Sequence, residues 1–385
     1  MKVILEIQHA CGTDNPRGVG YYTIELVQAL LGRKKHEYEL TFFDGGREMK
    51  NYLRAEEFFS KYGVPIHECN DVDYRVMSRD GSIFDAKTYN DLTGANGDVF
   101  HFMNFITIPE KLKGRMVVTV HDLLAVTHPE LIMPNRFVHL VGFERLKKIK
   151  PYVIADSEYT KNELLKHTEI PENKIDVVYP SINKEEHYPD KEAGAEILKA
   201  LGIHGEYILS VGVIESKKNI IRLIEAFNQI AENLSGLYLV LCGAPEWEDP
   251  TPILECANNS NYSDRIIFTG YVDAATKRKL YSNAMCLVFP SLCEGFGLPA
   301  LEAMACGCPV ITSNDTSVPE VVGDAGVLIN PYSTEQIAHE IERLVCSESL
   351  RAQLITKGLS RAGMFSWGIA AERTENAYRM AYEFV

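Results

Sequence analysis

At 385 residues the chain is too long for one ordinary domain and comfortable for two, and 46% hydrophobic residues are enough for two cores. A formal net charge of −14 excludes a general nucleic-acid binder, which carries a basic face. It leaves room for an anionic small ligand, which needs only local positive potential. The nine cysteines are odd in number, lack CxxC spacing and sit in apolar runs such as LVLCG. They are expected to be reduced thiols of a cytoplasmic protein, with neither disulfides nor a zinc site.

In chain order, MKVILEIQHACG holds an apolar run too short for a signal peptide. No later stretch of about 20 apolar residues offers a membrane span. Strand candidates in the first half are Val3–Ile7, Glu39–Phe43, Val99–Met103, Val117–Val120, Tyr152–Ala155 and Ile175–Val178. Tyr21–Leu31 carries an apolar stripe at helical spacing. Asn51–Asp91 is polar and irregular, and is read as an insertion over the edge of the first domain. Ser181–Gly205 is charged, contains Pro189 and has the composition of a linker. In the second half the strand candidates are Tyr207–Val211, Tyr238–Leu241, Ile266–Thr269, Cys286–Phe289, Pro309–Thr312 and Gly326–Ile329. Between them Asn219–Asn233 places Ile220, Leu223, Ile224, Phe227 and Ile230 on one helical face. A last helix is expected over Trp367–Val385.

Continuous apolar strands alternating with amphipathic helices predict parallel sheets buried on both faces. The expected class is therefore α/β, with two Rossmann-like, doubly wound domains facing a central cleft. The boundaries are 1–183 and 184–366, with helix 367–385 packing back on the first domain. Ligands of such sheets bind at the carboxyl ends of strands and at helix N-termini.

The most informative stretch is LVFPSLCEGFGLPALEAMACGCPVI, Leu287 to Ile311. A strand ends at Phe289, and a loop carries Glu294, Gly295, Phe296 and Gly297. Pro299 suits a helix start, where a missing N–H costs nothing, and Gly307 is expected as that helix's C-cap. Two glutamates eight apart mean little by spacing alone. The two glycines between them leave backbone N–H groups accessible, and with the positive partial charge of the helix start these make an anion site.

Glu294 and Glu302 inside PSLCEGFGLPALEAMACGCPV resemble the signature of retaining glycosyltransferases of family 4, which adopt the GT-B fold. VGVIESKKNIIRLIEAF, Val211 to Phe227, is similar to the family's second donor motif. RGVGYYTIEL, VTVHDL around His121 and ADSEYTKNEL around Ser157 extend the resemblance over nearly the whole chain. By motif style the nearest members are bacterial mannosyltransferases of surface-polysaccharide biosynthesis.

The resemblance implies that Glu302 holds the ribose hydroxyls and that Glu294 binds the donor sugar. Backbone N–H groups of Phe296, Gly297 and Leu298 would take sugar hydroxyls or the diphosphate, which Lys218 would neutralise. Gly18 and Gly20 would admit the diphosphate, His121 would contact the sugar, and Tyr271 and Val272 would lie beside the base. Taken alone, Lys218 is a solvated cation, His121 a satisfied core histidine and Gly18-Val-Gly20 a helix start. The catalytic set is expected to be Glu294, His121 and Lys218. Val213 stands where many members carry arginine or threonine, Ser216 where proline is common and Lys217 where arginine is common. One cation for the diphosphate is thus unaccounted for, and Arg17 and Lys277 are candidates to replace it. Asp71-Val-Asp73 looks like a metal-binding motif but is read as noise.

The implied reaction moves a hexose from a nucleotide-diphosphate sugar, GDP-mannose first and a UDP-sugar second, to a glycan or lipid-linked acceptor. It uses no metal and no cofactor. Alternatives are a sugar-nucleotide epimerase, a phosphorylase and a non-catalytic sugar-nucleotide-binding subunit. A phosphorylase would need a pyridoxal-phosphate lysine and a longer chain. Arg136, Arg145, Lys147, Lys148 and Lys150 are candidates for contact with the cytoplasmic face of an anionic membrane. A solvated helix face is the plainer reading.

Overall fold

The computed structural model describes residues 1–12, 18–44, 50–69, 72, 87–131, 136–191, 194–246 and 248–383. The chain divides into two compact units. Unit 1 is Met1–Ser181 with Ser366–Val385, and unit 2 is Ile182–Phe365. Among the described residues no helix is long and apolar enough to cross a membrane.

Unit 1 is built on seven strands: β1 Lys2–Glu6, β2 Glu37–Phe43, β3 Ile66–Cys69, β4 Val99–Phe102, β5 Arg115–Val120, β6 Tyr152–Ala155 and β7 Ile175–Val177. Their order is β3-β2-β1-β4-β5-β6-β7, with every pairing parallel. Successive side chains leave a strand on opposite faces. Val3, Leu5, Val99, Val117 and Ile154 therefore enter one core, and Ile4, Phe100, Val118 and Val153 enter the other. Both faces are dry, which is why these segments are continuous apolar runs.

The first core also receives the helices Gly18–Arg33 and Trp367–Glu383. Tyr378 on the latter hydrogen-bonds His101 Nδ1 at 2.7 Å, and His101 Nε2 meets Thr119 Oγ1 at 2.9 Å. Tyr22 Oη joins the same Thr119 hydroxyl at 3.1 Å. Burial holds His101 down to about 3, so this chain of contacts is uncharged at neutral pH. Glu375 adds an ion pair to Arg33 at 3.0 Å.

Unit 2 has six strands: β8 Tyr207–Val211, β9 Tyr238–Cys242, β10 Ile266–Gly270, β11 Cys286–Phe289, β12 Val310–Ser313 and β13 Val327–Ile329. All are parallel, in the order β10-β9-β8-β11-β12-β13. In each unit the order reverses once, between β1 and β4 and between β8 and β11. Such a switch point leaves a crevice at the carboxyl ends of the two strands, where doubly wound sheets take ligands.

Two expectations need correction. Asn51–Asp91 holds a helix, Lys50–Phe59, and the edge strand β3. Only Cys69 of β3 is buried, so the strand lacks an apolar run by which to be recognised. Ser181–Gly205 is not a bare tether. It contains the helix Gly194–Ala200, and Asp190 pairs with Arg278 of unit 2 at 3.1 Å, so its charges are partly matched. The expectation for Gly307 holds: it follows Cys306 at the end of helix Leu298–Ala305 in the left-handed conformation, φ +72°, and its N–H donates to the Met304 carbonyl at 3.1 Å. Asp71, Asp73 and Arg17 lie outside the described residues.

Candidate functional site

At the switch point of unit 2, Gly212 follows β8 and Gly243 follows β9, with φ of +148° and +146°. A side chain on Gly243 would begin 1.8 Å from the Gly212 carbonyl oxygen, so the two strand ends touch backbone to backbone. A side chain on Gly212 would begin 3.2 Å from Lys218 Cε. Glycine at 212 thus gives the Lys218 stem a path across the top of β8.

Lys218 ends a 3-10 turn, Ser216–Lys218. Asn219 follows in the left-handed conformation at φ 60°, which asparagine tolerates better than most residues. Its buried amide donates to the carbonyls of Pro290 at 3.0 Å and Pro331 at 2.6 Å. The turn is thereby fastened to the end of β11, and helix Ile220–Ile230 starts from it. Sequence reasoning passed over Asn219; its signal was an asparagine directly before an apolar helical stripe.

Lys218 Nζ lies 2.6 Å from Glu294 Oε1 and 5.1 Å from the centre of the Phe289 ring. Only 12% of either charged side chain is exposed. Burial opposes the Glu294 charge, but Lys218 and Lys217 outweigh it and hold the carboxyl below its ordinary value. The loop is fixed from β12's side. Glu294 N–H donates to Thr316 Oγ1 at 3.3 Å, and Ser317 Oγ donates to the Glu294 carbonyl at 2.9 Å. Phe296 turns its ring inward against Phe365. Gly297, at φ +108°, caps helix Leu298–Ala305, with Leu298 half-buried at its first position.

One and a half turns into that helix, Glu302 takes the Tyr281 hydroxyl at 2.8 Å and Lys277 Nζ at 3.0 Å, with His187 Nε2 at 3.5 Å. Burial again opposes the charge, and Lys277 and His187 prevail to lower the carboxyl's pKa. Lys277 therefore serves Glu302. The second ammonium felt by Glu294 is Lys217, which also pairs with Glu215 at 3.3 Å. Val213 lies half-buried beyond Gly212, Tyr271 is exposed just past β10, and Val272 is half-buried beside it.

In unit 1, Gly18 is the first described residue of helix Gly18–Arg33, and among the described residues nothing lies within 4 Å of where a Gly18 side chain would start. Gly20 is buried one turn in. His121, just past β5, has both ring nitrogens engaged: Nδ1 with Asp156 Oδ2 at 2.5 Å and Nε2 with the Met103 carbonyl at 2.8 Å. Tyr22 presents an edge-on ring contact at 4.8 Å. In this arrangement neither ring nitrogen faces outward for a sugar hydroxyl.

The candidate membrane surface is largely self-neutralised. Lys147 pairs with Glu144 at 3.0 Å, Lys148 with Glu110 at 2.5 Å and Lys150 with Glu169 at 2.6 Å. Arg145 is buried, and Arg136 donates to the Ala125 carbonyl.

Comparison with known proteins adds an independent line. Residues 16–186 match the model of Glycosyltransferase Family 4, and residues 196–361 match that of Glycosyl transferases group 1. Over 94% of its length the chain is 30% identical to O-antigen chain mannosyltransferase B of Escherichia coli, covering 96% of that protein. Among solved structures it resembles sucrose-phosphate synthase from Thermosynechococcus elongatus, with TM-score 0.76, 20% identity and 98% of both chains covered. It also resembles Anabaena HepE in complex with UDP and glucose, with TM-score 0.74, 16% identity and again 98% of both chains covered. At those identities the two structures speak to the shared GT-B fold alone.

Proposed function

The chain belongs to the family 4 glycosyltransferases, and from that premise we propose that it transfers mannose from GDP-mannose to a glycan or lipid-linked acceptor, with retention and without a metal. The observation that carries this reading is the Lys218–Glu294 pair held over Gly212 at the unit 2 switch point.

Breaking a glycosyl–phosphate bond leaves negative charge on the diphosphate and positive charge on the sugar. A preorganised ammonium lowers that barrier because it needs no reorganisation as the charge develops. Lys218 supplies it, with Lys217 behind. Glu294 accepts from a sugar hydroxyl and steadies the cationic ring, while Phe296, Gly297 and Leu298 offer backbone N–H groups. Glu302 accepts from the ribose, with Lys277 and Tyr281 holding its carboxylate in place. Val213, Tyr271 and Val272 border the base, and Gly18 and Gly20 admit the diphosphate at the unit 1 helix start. In front-face displacement the departing phosphate oxygen takes the acceptor's proton, so neither glutamate acts as nucleophile. The mannosyl assignment draws on the Escherichia coli relative's name.

A UDP-sugar is the second reading, favoured by the UDP and glucose bound to the Anabaena neighbour. A thermal-shift screen of GDP-, UDP- and ADP-sugars, followed by donor-consumption assays, tests both. The largest stabilisation and turnover are expected with GDP-mannose. A shift and turnover confined to UDP-sugars would replace it, and consumption of none would discard the transferase reading.

A further inference from the structure

We infer that Asp156 is a positioning residue that keeps one proton bound between itself and His121, so that the two meet an anionic donor as a neutral unit. The inference rests on the transferase reading for its consequence, and on geometry for the pairing.

Nε2 of His121 faces the Met103 carbonyl, which accepts only, so Nε2 carries hydrogen. Nδ1 stands 2.5 Å from Asp156 Oδ2, a separation that requires a proton between the two atoms. Whichever atom holds it, imidazole and carboxyl together carry no net charge. Loss of that proton leaves a bare carboxylate, worth −1, at the carboxyl ends of β5 and β6.

The surroundings favour retention. Only 13% of the His121 side chain and 6% of the Asp156 side chain are exposed. Among the described residues Asp156 Oδ1 is buried with no hydrogen-bond partner, a poor setting for a full carboxylate charge. Asp122, on the same loop as His121, attracts the proton further. His9 and His101 feel His121 but are held down to about 3, chiefly by burial, and bring no opposing charge. Tyr22 offers its ring edge and spends its hydroxyl on Thr119. Thr160 Oγ1 donates to the His121 carbonyl at 3.1 Å, fixing the backbone beneath the ring. Burial works against the charged ring, but Asp156 raises the His121 pKa above its ordinary value, while burial raises that of Asp156.

The test is the pH dependence of kcat/KM for GDP-mannose in wild type and Asp156→Asn. The asparagine amide donates to Nδ1 and holds a neutral ring with no proton to lose. Wild type is expected to lose activity about tenfold per pH unit above the pair's pKa. Asp156→Asn should have lower kcat/KM at pH 7 but no alkaline limb. In parallel, nitrogen-15 spectra of histidine-labelled protein follow the His121 ring directly. Its nitrogens should titrate above the ordinary imidazole value of about 6.5 in wild type and below it in the variant. An unchanged alkaline limb in Asp156→Asn, or a wild-type His121 midpoint at or below that ordinary value, would overturn the proposal. If no donor is consumed, the transferase reading fails and the spectra still decide the pairing.

Discussion

Lys218 Nζ and Glu294 Oε1 lie 2.6 Å apart, and the lysine reaches that position by crossing Gly212, where a side chain would begin 3.2 Å from its Cε. Each charge is the other's nearest compensation in a mostly buried setting. A diphosphate therefore competes with Glu294 for the ammonium, and a sugar hydroxyl takes up the carboxylate lone pairs that the ammonium releases. Glu294→Ala is expected to lower kcat by about 100-fold or more, the scale of removing one preorganised charge-stabilising group. Its Kd for GDP should change by less than about threefold in calorimetry. Near-normal turnover would remove Glu294 from the mechanism.

The glycine crossing gives a prediction that does not depend on activity. Gly243→Ala places a methyl carbon 1.8 Å from the Gly212 carbonyl oxygen at a φ of +146°, so one strand end must shift. Overpacking and left-handed strain together should cost about 1–3 kcal/mol or more. A lowered Tm is expected, whereas Gly236→Ala, with nothing within 4 Å, should leave Tm near wild type. Equal melting of the two variants would contradict the close crossing.

Glu302 accepts hydrogen bonds from Tyr281 and Lys277, with His187 Nε2 3.5 Å away, and so is held in one orientation before any ribose arrives. Glu302→Gln removes the charge, leaves Lys277 without its carboxylate and exchanges one acceptor oxygen for a donor. Loss of a charge-assisted hydrogen bond, about 1.5–3 kcal/mol, predicts GDP binding weaker by tenfold or more. Unchanged affinity by calorimetry would count against the ribose role.

Glu6, at the end of β1, is 1% exposed and its Oε2 has no hydrogen-bond partner. Burial pushes its carboxyl up to about 8 from an ordinary value of 4.5, against the pull of the Gln8 backbone N–H. The folded chain therefore holds a proton that the unfolded chain releases. The sign follows: this contribution to stability is fully present below pH 4.5 and is lost as pH rises toward 8, on the order of 3 kcal/mol by pH 7. Glu6→Gln should melt higher than wild type by a margin that grows from pH 5 to pH 8. A margin independent of pH would show that the residue does not titrate as a buried acid.

Strands buried on both faces were legible because their runs are mostly apolar and β-branched, with only an isolated polar residue such as Glu6 or Thr119 inside them. Val3–Ile7, Val117–Val120 and Cys286–Phe289 all announce themselves in this way, and Glu294 and Glu302 were legible through the punctuation around them. Contacts carried between distant segments were not. The Asn219 amide bonds to Pro290 and Pro331, Asp156 meets a histidine 35 residues away, and Gly243 touches Gly212, none of which leaves a local pattern. Charge pairing was not legible either: Asp190 of Ser181–Gly205 is partly buried against Arg278, whereas Lys148 and Lys150 keep the solvated face read from sequence while pairing with Glu110 and Glu169. His121 could be read two ways, and its two inward hydrogen bonds make it a satisfied residue whose charge state, rather than a free ring nitrogen, is what remains to act.

The helix Trp367–Glu383 brings Tyr378 to His101 and Glu375 to Arg33, some 270 to 340 residues downstream of its partners. A ribosome has therefore emitted all of unit 2 before it releases the piece that closes unit 1. During synthesis unit 2 can finish first, while unit 1 waits with the Ala370–Ala381 face missing from its core and His101 short of a hydrogen bond. Translation that stalls near residue 366 would leave a chain whose unit 2 is complete and whose unit 1 is a target for chaperones and proteases.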